Sequence, residues 1–478
     1  AALAQSWVSK AINTAFVDPG ATASDIYAGN LTGSISVTGT VDTSQLGSYL
    51  RRYSVTDQSG NTSRRTRTVV VVDPTAPVEV TRPDCHGTNF WLALPGNINV
   101  IPELSLLITS EFSTYGTVTI PSLGFTNDFT VLAGVLTTVA IPAGIAVDSS
   151  DLVEDKGLHV TSVDEVSVYG LSRVSTSTDG YLALPDDALG YNYRVLGYHN
   201  GGPVPGSQFT LVASEAGTTT VTITPSTTTG ARTVAVPYNV ALTQGQTYQL
   251  RNDTNSGTAD LSGTLVVADK RIGVFGGHRA ANTPSGIGSA GFAVEQLFPL
   301  ETMGKKHLLQ PLGARTGYTL RVQSVANATA VSTNGVLFTN LVNSGDVAEL
   351  VLTNAVLVTA DKPVQVAQHA HGSNFELAAN GDAFMMLIAP YEQWVDEYSF
   401  TTPASVYTNY VNITVTNAGN ASVRLDGVLI PAINFTNIGT SGFSGATIPI
   451  TRGAHSLTGS YPLGVGVYGH ASNEAYGY

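Results

Sequence analysis

The chain is poor in the residues that usually reveal a chemistry. Of its 478 residues only one, Cys85, is cysteine. No intramolecular disulfide can form, and the thiol is expected to be a small buried residue, a free thiol or an intermolecular partner. Charged residues make up 12%, about half the usual globular share, so solubility rests on Thr, Ser, Asn and Gly. Positive charge is scarcest: 22 Lys and Arg stand against 35 Asp and Glu, for a formal net charge of −13. Only Arg64, Arg65 and Arg67 cluster. Without a basic stripe, neither a nucleic acid nor an anionic membrane surface is an expected partner. No run of 18 apolar residues occurs, so no membrane span is expected. Ala2-Leu3-Ala4 has the small-x-small pattern of a signal-peptidase site, so processing is expected although no apolar region precedes it.

What is present favours β structure. The chain is 42% hydrophobic, enough for sizeable cores. Thr and Val suit a pleated, half-buried surface, and 49 Gly and 22 Pro supply turns. One eleven-residue phrase organises most of the chain: VTSVDEVSVYG at 160–170, VVADKRIGVFG at 266–276, VTADKPVQVAQ at 358–368 and a weaker GSYPLGVGVYG at 459–469. The copies end at Gly170, Gly276, Gln368 and Gly469, in steps of 106, 92 and 101 residues. Each reads as a polar corner followed by an alternating strand. Four copies of one β unit follow, with expected boundaries 84–178, 179–286, 287–377 and 378–478. Units of this size with one apolar strand face predict β-sandwiches. A four-bladed propeller is the alternative, but its blades run nearer 40–50 residues. Repeats of this kind more often build binding surfaces or rods than one catalytic pocket.

The N-terminal part differs. In residues 1–17, Leu3, Trp7, Val8, Ala11, Ile12, Ala15 and Phe16 follow helical spacing and predict a short amphipathic helix; a strand is the alternative. Residues 18–73 form an expected β-sandwich with a hairpin turning at Gly60-Asn61. Residues 74–83 hold three prolines and read as an interdomain linker.

Two resemblances follow from particular residues. Asp18-Pro19-Gly20, Val37-Thr38-Gly39-Thr40-Val41-Asp42 and Tyr53-Ser-Val-Thr-Asp57 with Gly60-Asn61 resemble bacterial immunoglobulin-like modules of the hyalin-repeat-like and pesticidal-crystal-protein type. The acidic loop such modules carry is replaced here by Asp25-Ile26-Tyr27-Ala28-Gly29-Asn30, so no calcium is expected there. Such modules also begin with further strands that this chain lacks before Asp18, which leaves an expected open sheet edge.

The second resemblance rests on Gly87–Pro95, Gly157–Thr161 and Val168-Tyr169-Gly170-Leu171. It continues through Ser177–Pro185, Phe275-Gly276-Gly277, Glu295-Gln296-Leu297, Phe384–Gln393 and Val467-Tyr468-Gly469. From about 84 to 478 these are similar to the IgGFc-binding protein N-terminal domain family. The resemblance implies a secreted or cell-surface protein and no catalytic set. Immunoglobulin binding does not transfer with it residue by residue.

A screen for chemistry yields little. His278, His369 and His470 follow their phrases at nearly the same offset, and His371 lies two residues beyond His369. These four are weak metal candidates, and duplication explains their spacing as well as convergence does; no cofactor is expected. Asp186-Asp187 and Glu154-Asp155 are adjacent carboxylates, unlike a glycosidase pair across a cleft, and read as solvated turns. Gly286-Ile-Gly-Ser-Ala-Gly291 neither follows the right strand nor opens a helix. Asn-x-Ser/Thr sequons are as frequent as a Thr-rich chain gives by chance. Tyr391, Trp394, Tyr476 and Tyr478 are expected to fill cores more often than to stack on a ligand.

The expected function is a non-enzymatic extracellular surface protein that binds protein or glycan, or mediates adhesion, through loops at unit ends. The alternative is a self-assembling filament, sheath or surface-layer subunit. Its open N-terminal sheet would pair with neighbouring copies through Leu3, Trp7, Val8, Ile12 and Phe16.

Overall fold

Each recurring phrase lies inside a strand much longer than itself. In the computed structural model these long strands are Leu158–Val174, Leu265–Asn282, Val356–Ala370 and Gly453–Ala471. The structure describes residues 2–3, 7–25, 27–45, 47–72, 85–98, 101–202, 204–257, 259–376, 381–403 and 407–478. The expected linker 74–83 lies outside them.

The polar corner of the phrase is where the long strand bends. Against the opening strand of its unit, each long strand skips four residues: 162–165 opposite Gly87–Leu92, 268–271 opposite Gly190–Arg194, 360–363 opposite Gly304–Leu309 and 459–462 opposite Val395–Thr402. A bulge of this kind redirects a strand, and prolines are tolerated where no ladder donor is needed; Pro363 and Pro462 sit there. Before the corner the long strand pairs with one hairpin, as His159–Ser162 does with Gly116–Thr119. Beyond it the strand pairs with the second strand of the unit: Glu103–Thr109, Ser207–Ala213, Tyr318–Ser324 or Thr408–Thr416. One strand thus serves two sheets, which is how a sheet turns a corner. Alternating apolar residues, such as Val160, Val166 and Val168, fill the space between. The fold is all-β, with an N-terminal immunoglobulin-like module followed by four sandwich-like units.

The units form a closed ring. Each long strand hairpins into a short closing strand: Ser177–Leu182, Ala290–Gln296, Met385–Leu387 and Glu474–Gly477. These four meet in cyclic order, first with second, second with third, third with fourth and fourth with first. Apolar clusters are shared accordingly. Phe275 and Val294 join the first core, Met385 the second, and Tyr468 and Ala475 the third. Leu107 and Tyr169 join the fourth. The boundary drawn at 178/179 falls inside a closing strand, and those at 286/287 and 377/378 fall ahead of closing strands that pair backward.

Among the described residues of 1–17 the expected helix is not found. Trp7–Ala11 is a strand, parallel to Thr68–Val72, and Ala2–Leu3 pairs with Ala21–Thr22. The positive φ of Asn13, 61°, turns the chain after it. Ile12 and Phe16 pack against Tyr49, Val69 and Val71. Helical spacing and a strand–turn–strand path both turn Ile12 and Phe16 inward, and pairing with Thr68–Val72 decides between them. The expected open edge is therefore covered by the chain's own residues. Asp18 explains the Asp-Pro-Gly motif. It accepts hydrogen bonds from Gly20 N (2.9 Å), Arg51 Nε (3.1 Å), the Tyr53 hydroxyl and the fully buried Arg67 guanidinium.

Candidate functional site at the junction of ring and N-terminal module

Where four closing strands meet, backbone N–H groups converge and an acceptor is needed. Asp179 supplies it. Its Oδ1 accepts from Gly180 N (2.8 Å) and Gly477 N (3.2 Å), and its Oδ2 from Val294 N (3.0 Å) and Met385 N (3.1 Å). One carboxyl thereby ties the first unit to the other three. Glu295 repeats the device by accepting from Leu387 N at 3.1 Å. Burial pushes both carboxyls well above the ordinary range, against the pull of these donors, and the neighbouring Asp179 charge raises Glu295 further. The last joint is closed by an ion pair. Arg173 Nε and Nη2 donate to Glu474 at 2.8 and 3.0 Å, and the Tyr407 hydroxyl donates to the same carboxylate at 2.8 Å.

The N-terminal module docks on one face of this ring through its arginines. Arg64 N donates to Asp164 at 3.0 Å and Thr66 N to Glu165 at 3.2 Å. Arg52 pairs with Glu111 (3.3 Å) and Glu397 (3.0 Å), and the Arg64 guanidinium lies over Phe112 at 4.2 Å. Of the arginine cluster seen in the sequence, Arg64 pairs with Asp164 and Arg67 with Asp18, while Arg65 donates to the backbone carbonyls of Arg64 and Val163. Asp164 and Glu165 belong to the first phrase's corner. In the second and third corners Asp269 and Asp361 instead accept from their own units, from Thr220 N and Ala330 N, both at 2.8 Å.

Docking leaves two hollows. A cleft of about 270 Å³ runs between the module and the first unit, with Ser36, Thr38, Ser54, Thr66, Arg65 and Phe112 among its walls. A chamber of about 180 Å³ lies on the ring axis beneath the module. Leu182, Gln296, Leu387 and Tyr478, one from each closing segment, face it, and Leu50 and Thr68 of the module roof it. Cys85, half-buried and in no disulfide, also borders it.

The histidines do not converge. His369 and His470 directly follow their phrases, while His278 comes one residue later and so points to the other strand face. His278 is buried against Asn200 Oδ1 (2.9 Å) and accepts from Ala280 N (2.9 Å). His369 packs on Tyr198, ring centroids 5.0 Å apart. His371 meets Thr319 Oγ1 at 3.0 Å, and His470 stacks on Tyr410 at 5.5 Å. Burial lowers all four pKa values, to about 3 at His278 and about 4 at His371. Among the described residues no group of three or more His, Cys, Asp or Glu is placed to hold a metal.

The other sequence candidates lie in the N-terminal module, the turns and the cores. Of the polymerisation candidates, Val8 lies in the edge strand and Ile12 and Phe16 pack inside the module; for Leu3 and Trp7 only the backbone strands are described. Asp186 is no solvated turn. It opens a 3₁₀ turn, accepts from Asn89 Nδ2 at 2.5 Å, and burial pushes its carboxyl up to about 7. Glu154 pairs with Lys156 at 2.9 Å, and Asp155 accepts from Gln246 at 2.9 Å. Trp394 and Tyr476 are buried in cores. Sequence reasoning quoted Asp179 and Glu295-Gln296 only within family motifs and gave them no role.

The ring of bent-strand sandwiches with a docked immunoglobulin-like module defines a multidomain all-β protein. The chain belongs to the IgGFc-binding protein family, whose model, described as IgGFc binding protein, matches residues 179–469. That match begins at the second unit rather than at 84. Residues 9–71 match the model described as bacterial surface protein, Ig-like domain. No curated protein matches. Among solved structures, the lipoprotein BT2262 from Bacteroides thetaiotaomicron is 13% identical, over 56% of this chain and 97% of that one, with a TM-score of 0.16. The CBM51-2 and INT domains of Clostridium perfringens ZmpB are also 13% identical, over 55% of this chain and 46% of theirs, with a TM-score of 0.14. At such TM-scores the overall arrangement is not shared, and no conclusion rests on either. No helix among the described residues is long and apolar enough to cross a membrane.

Proposed function

We propose that the protein is a secreted or cell-surface binding protein without catalytic activity, and that its partner is a glycan held in the cleft between the N-terminal module and the first unit. The cleft carries this reading. Its walls combine the hydroxyls of Ser36, Thr38, Ser54 and Thr66 with the Arg65 side chain and the edge of Phe112. Hydroxyl and guanidinium groups beside an aromatic ring suit a polyhydroxylated ligand. The ion pairs across the junction hold both walls in place, so binding need not order them first. Membership of families of binding and surface domains supports the same reading. Thr38 is exposed at the cleft, so Thr38→Trp fills it without disturbing a core. On a glycan array or in attachment to cells, this variant is expected to lose at least about tenfold in binding at unchanged melting temperature. Undiminished binding would remove the cleft from the function.

Self-assembly is a second reading, favoured by one observation. Trp7–Ala11 is a five-residue parallel edge strand whose ladder partner is Thr68–Val72. Such an element can be exchanged between copies. Electron microscopy of the concentrated protein is then expected to show oligomers or filaments that vanish when residues 1–11 are deleted. Particles that stay single in both samples would end this reading.

A further inference from the structure

We propose that the outer edge of Val347–Leu352, in the third unit, docks an extended peptide segment of a partner protein. The segment adds to the sheet as an antiparallel strand with aliphatic side chains at alternate positions. The chain itself carries the template for this contact. In the second unit Thr247–Asn252 occupies the same place, beside the second strand of its unit. The two strands begin alike. Gly245 N donates to Ala213 O and Ala213 N to Gln246 O, as Gly345 N does to Ser324 O and Ser324 N to Asp346 O. Thr247, Gln249 and Arg251 therefore correspond to Val347, Glu349 and Val351.

The two edges differ in what covers them. An excursion of the first unit runs along the second unit's edge, where Leu152–Glu154 pairs antiparallel with residues 247–249. Gln249 O accepts from Asp151 N at 2.7 Å, and Arg251 N donates to Ser150 Oγ at 3.0 Å. By strand alternation residues 247, 249 and 251 turn their backbone groups outward, and so do 347, 349 and 351. The second unit's excursion meets the third unit where Gly263 lies against Gly345. It then folds back on its own unit: Leu261 N donates to Ser207 Oγ at 2.9 Å, and Ala259 O accepts from Asn200 N at 2.8 Å. Among the described residues, Val347–Leu352 pairs only with Tyr318–Ser324.

Burial records the difference. Thr247–Asn252 is buried at five of its six residues and Val347–Leu352 at none. An apolar strand edge with free backbone groups templates strand addition unless Lys, Pro or inward charge blunts it. This strand has no Lys or Pro. Its one charged residue, Glu349, is held by Arg321 at 3.3 Å and by the Tyr198 hydroxyl at 3.0 Å. Ala348 and Leu352 pack on the third core yet stay half-exposed, and aliphatic side chains on an added strand would cover them. A second copy fits less well. The net charge of −13 opposes self-association, and three outward residues fall far short of the roughly 1,000 Å² that a stable interface buries. A flexible segment needs no second surface.

The test uses the full chain and two synthetic probes. One is a soluble peptide alternating Thr and Val between terminal Lys residues; the other is the same peptide with its backbone nitrogens methylated. In hydrogen-exchange mass spectrometry the first is expected to slow exchange of residues 345–353 saturably, by about tenfold at about ten times its Kd. Residues 245–253, already covered, should not respond, and the methylated peptide should have no effect. Val351→Pro removes an outward N–H without breaking the ladder inside the unit, and should weaken binding by about tenfold or more. If Val351→Pro fails to fold, the two peptides on the wild type still decide. No saturable slowing at 345–353, equal slowing by the methylated peptide, or unchanged binding in folded Val351→Pro overturns the site. Protection of 345–353 that grows with protein concentration alone makes a second copy the occupant and overturns the peptide.

Discussion

Asp179 accepts four backbone N–H groups drawn from all four closing segments, and no neutral side chain offers that many acceptor sites. Each buried donor left unpaired costs about 1–3 kcal/mol, which exceeds what an apolar side chain of similar size would return. Buried acids also set how stability depends on pH. Asp382, in the third closing hairpin, accepts from Ala383 N at 2.9 Å, and burial pushes its carboxyl up to about 7. The folded chain therefore holds that proton more tightly than the unfolded chain. The resulting stabilisation is complete below about pH 4 and is lost as pH rises toward about 7. Between pH 5 and pH 8 the wild type should lose about 2–3 kcal/mol more than Asp382→Asn in urea unfolding. His278, His307 and His371, with values lowered to about 3, 3 and 4, act oppositely, destabilising as pH falls below about 6.5. They are common to both proteins and cancel in the comparison. Equal pH slopes would mean that Asp382 is ionised and solvated in the folded chain.

At the scale of elements, the bent long strand is one design put to two uses. In the second and third units the corner's Asp caps its own hairpin. In the first, Val163 stands where those aspartates do in the aligned phrases, and Asp164 and Glu165 turn to the N-terminal module. Asp164→Ala should therefore raise amide exchange at Arg64 and Thr66 by about tenfold or more while Tyr53 and Val69, inside the module, stay protected. Exchange unchanged at Arg64 would place the docking energy elsewhere. The corners, the strand after each and the number of units were legible in the sequence because alternation and a polar turn leave a periodic trace. The first segment was not, since Val8, Ile12 and Phe16 fit helical spacing and a strand equally. The closing strands were missed because they are short and buried on both faces, and they carry no alternation. The family motifs flagged their residues without assigning contacts. Asp179 and Glu295 gain their roles only when four distant strands meet, and spacing along one chain does not encode that. The histidines show the converse. Nearly equal offsets suggested convergence, but a one-residue difference sends His278 to the opposite strand face.

At the scale of the whole molecule, the architecture stands on ring closure. Four units strung in line would each need a complete core and would leave the ends of the array exposed. Here each core borrows from its neighbour, Arg173 and Glu474 join the first unit to the last, and the N-terminal module rests on the face that the ring presents. The chamber and the cleft exist only in that arrangement. Small-angle X-ray scattering of the purified monomer measures it most directly. A closed ring with a docked module should give a radius of gyration of about 23–25 Å, the value for a compact chain of this length, and one compact distance distribution. A clearly larger radius, with a distribution tailing to several unit lengths, would contradict closure.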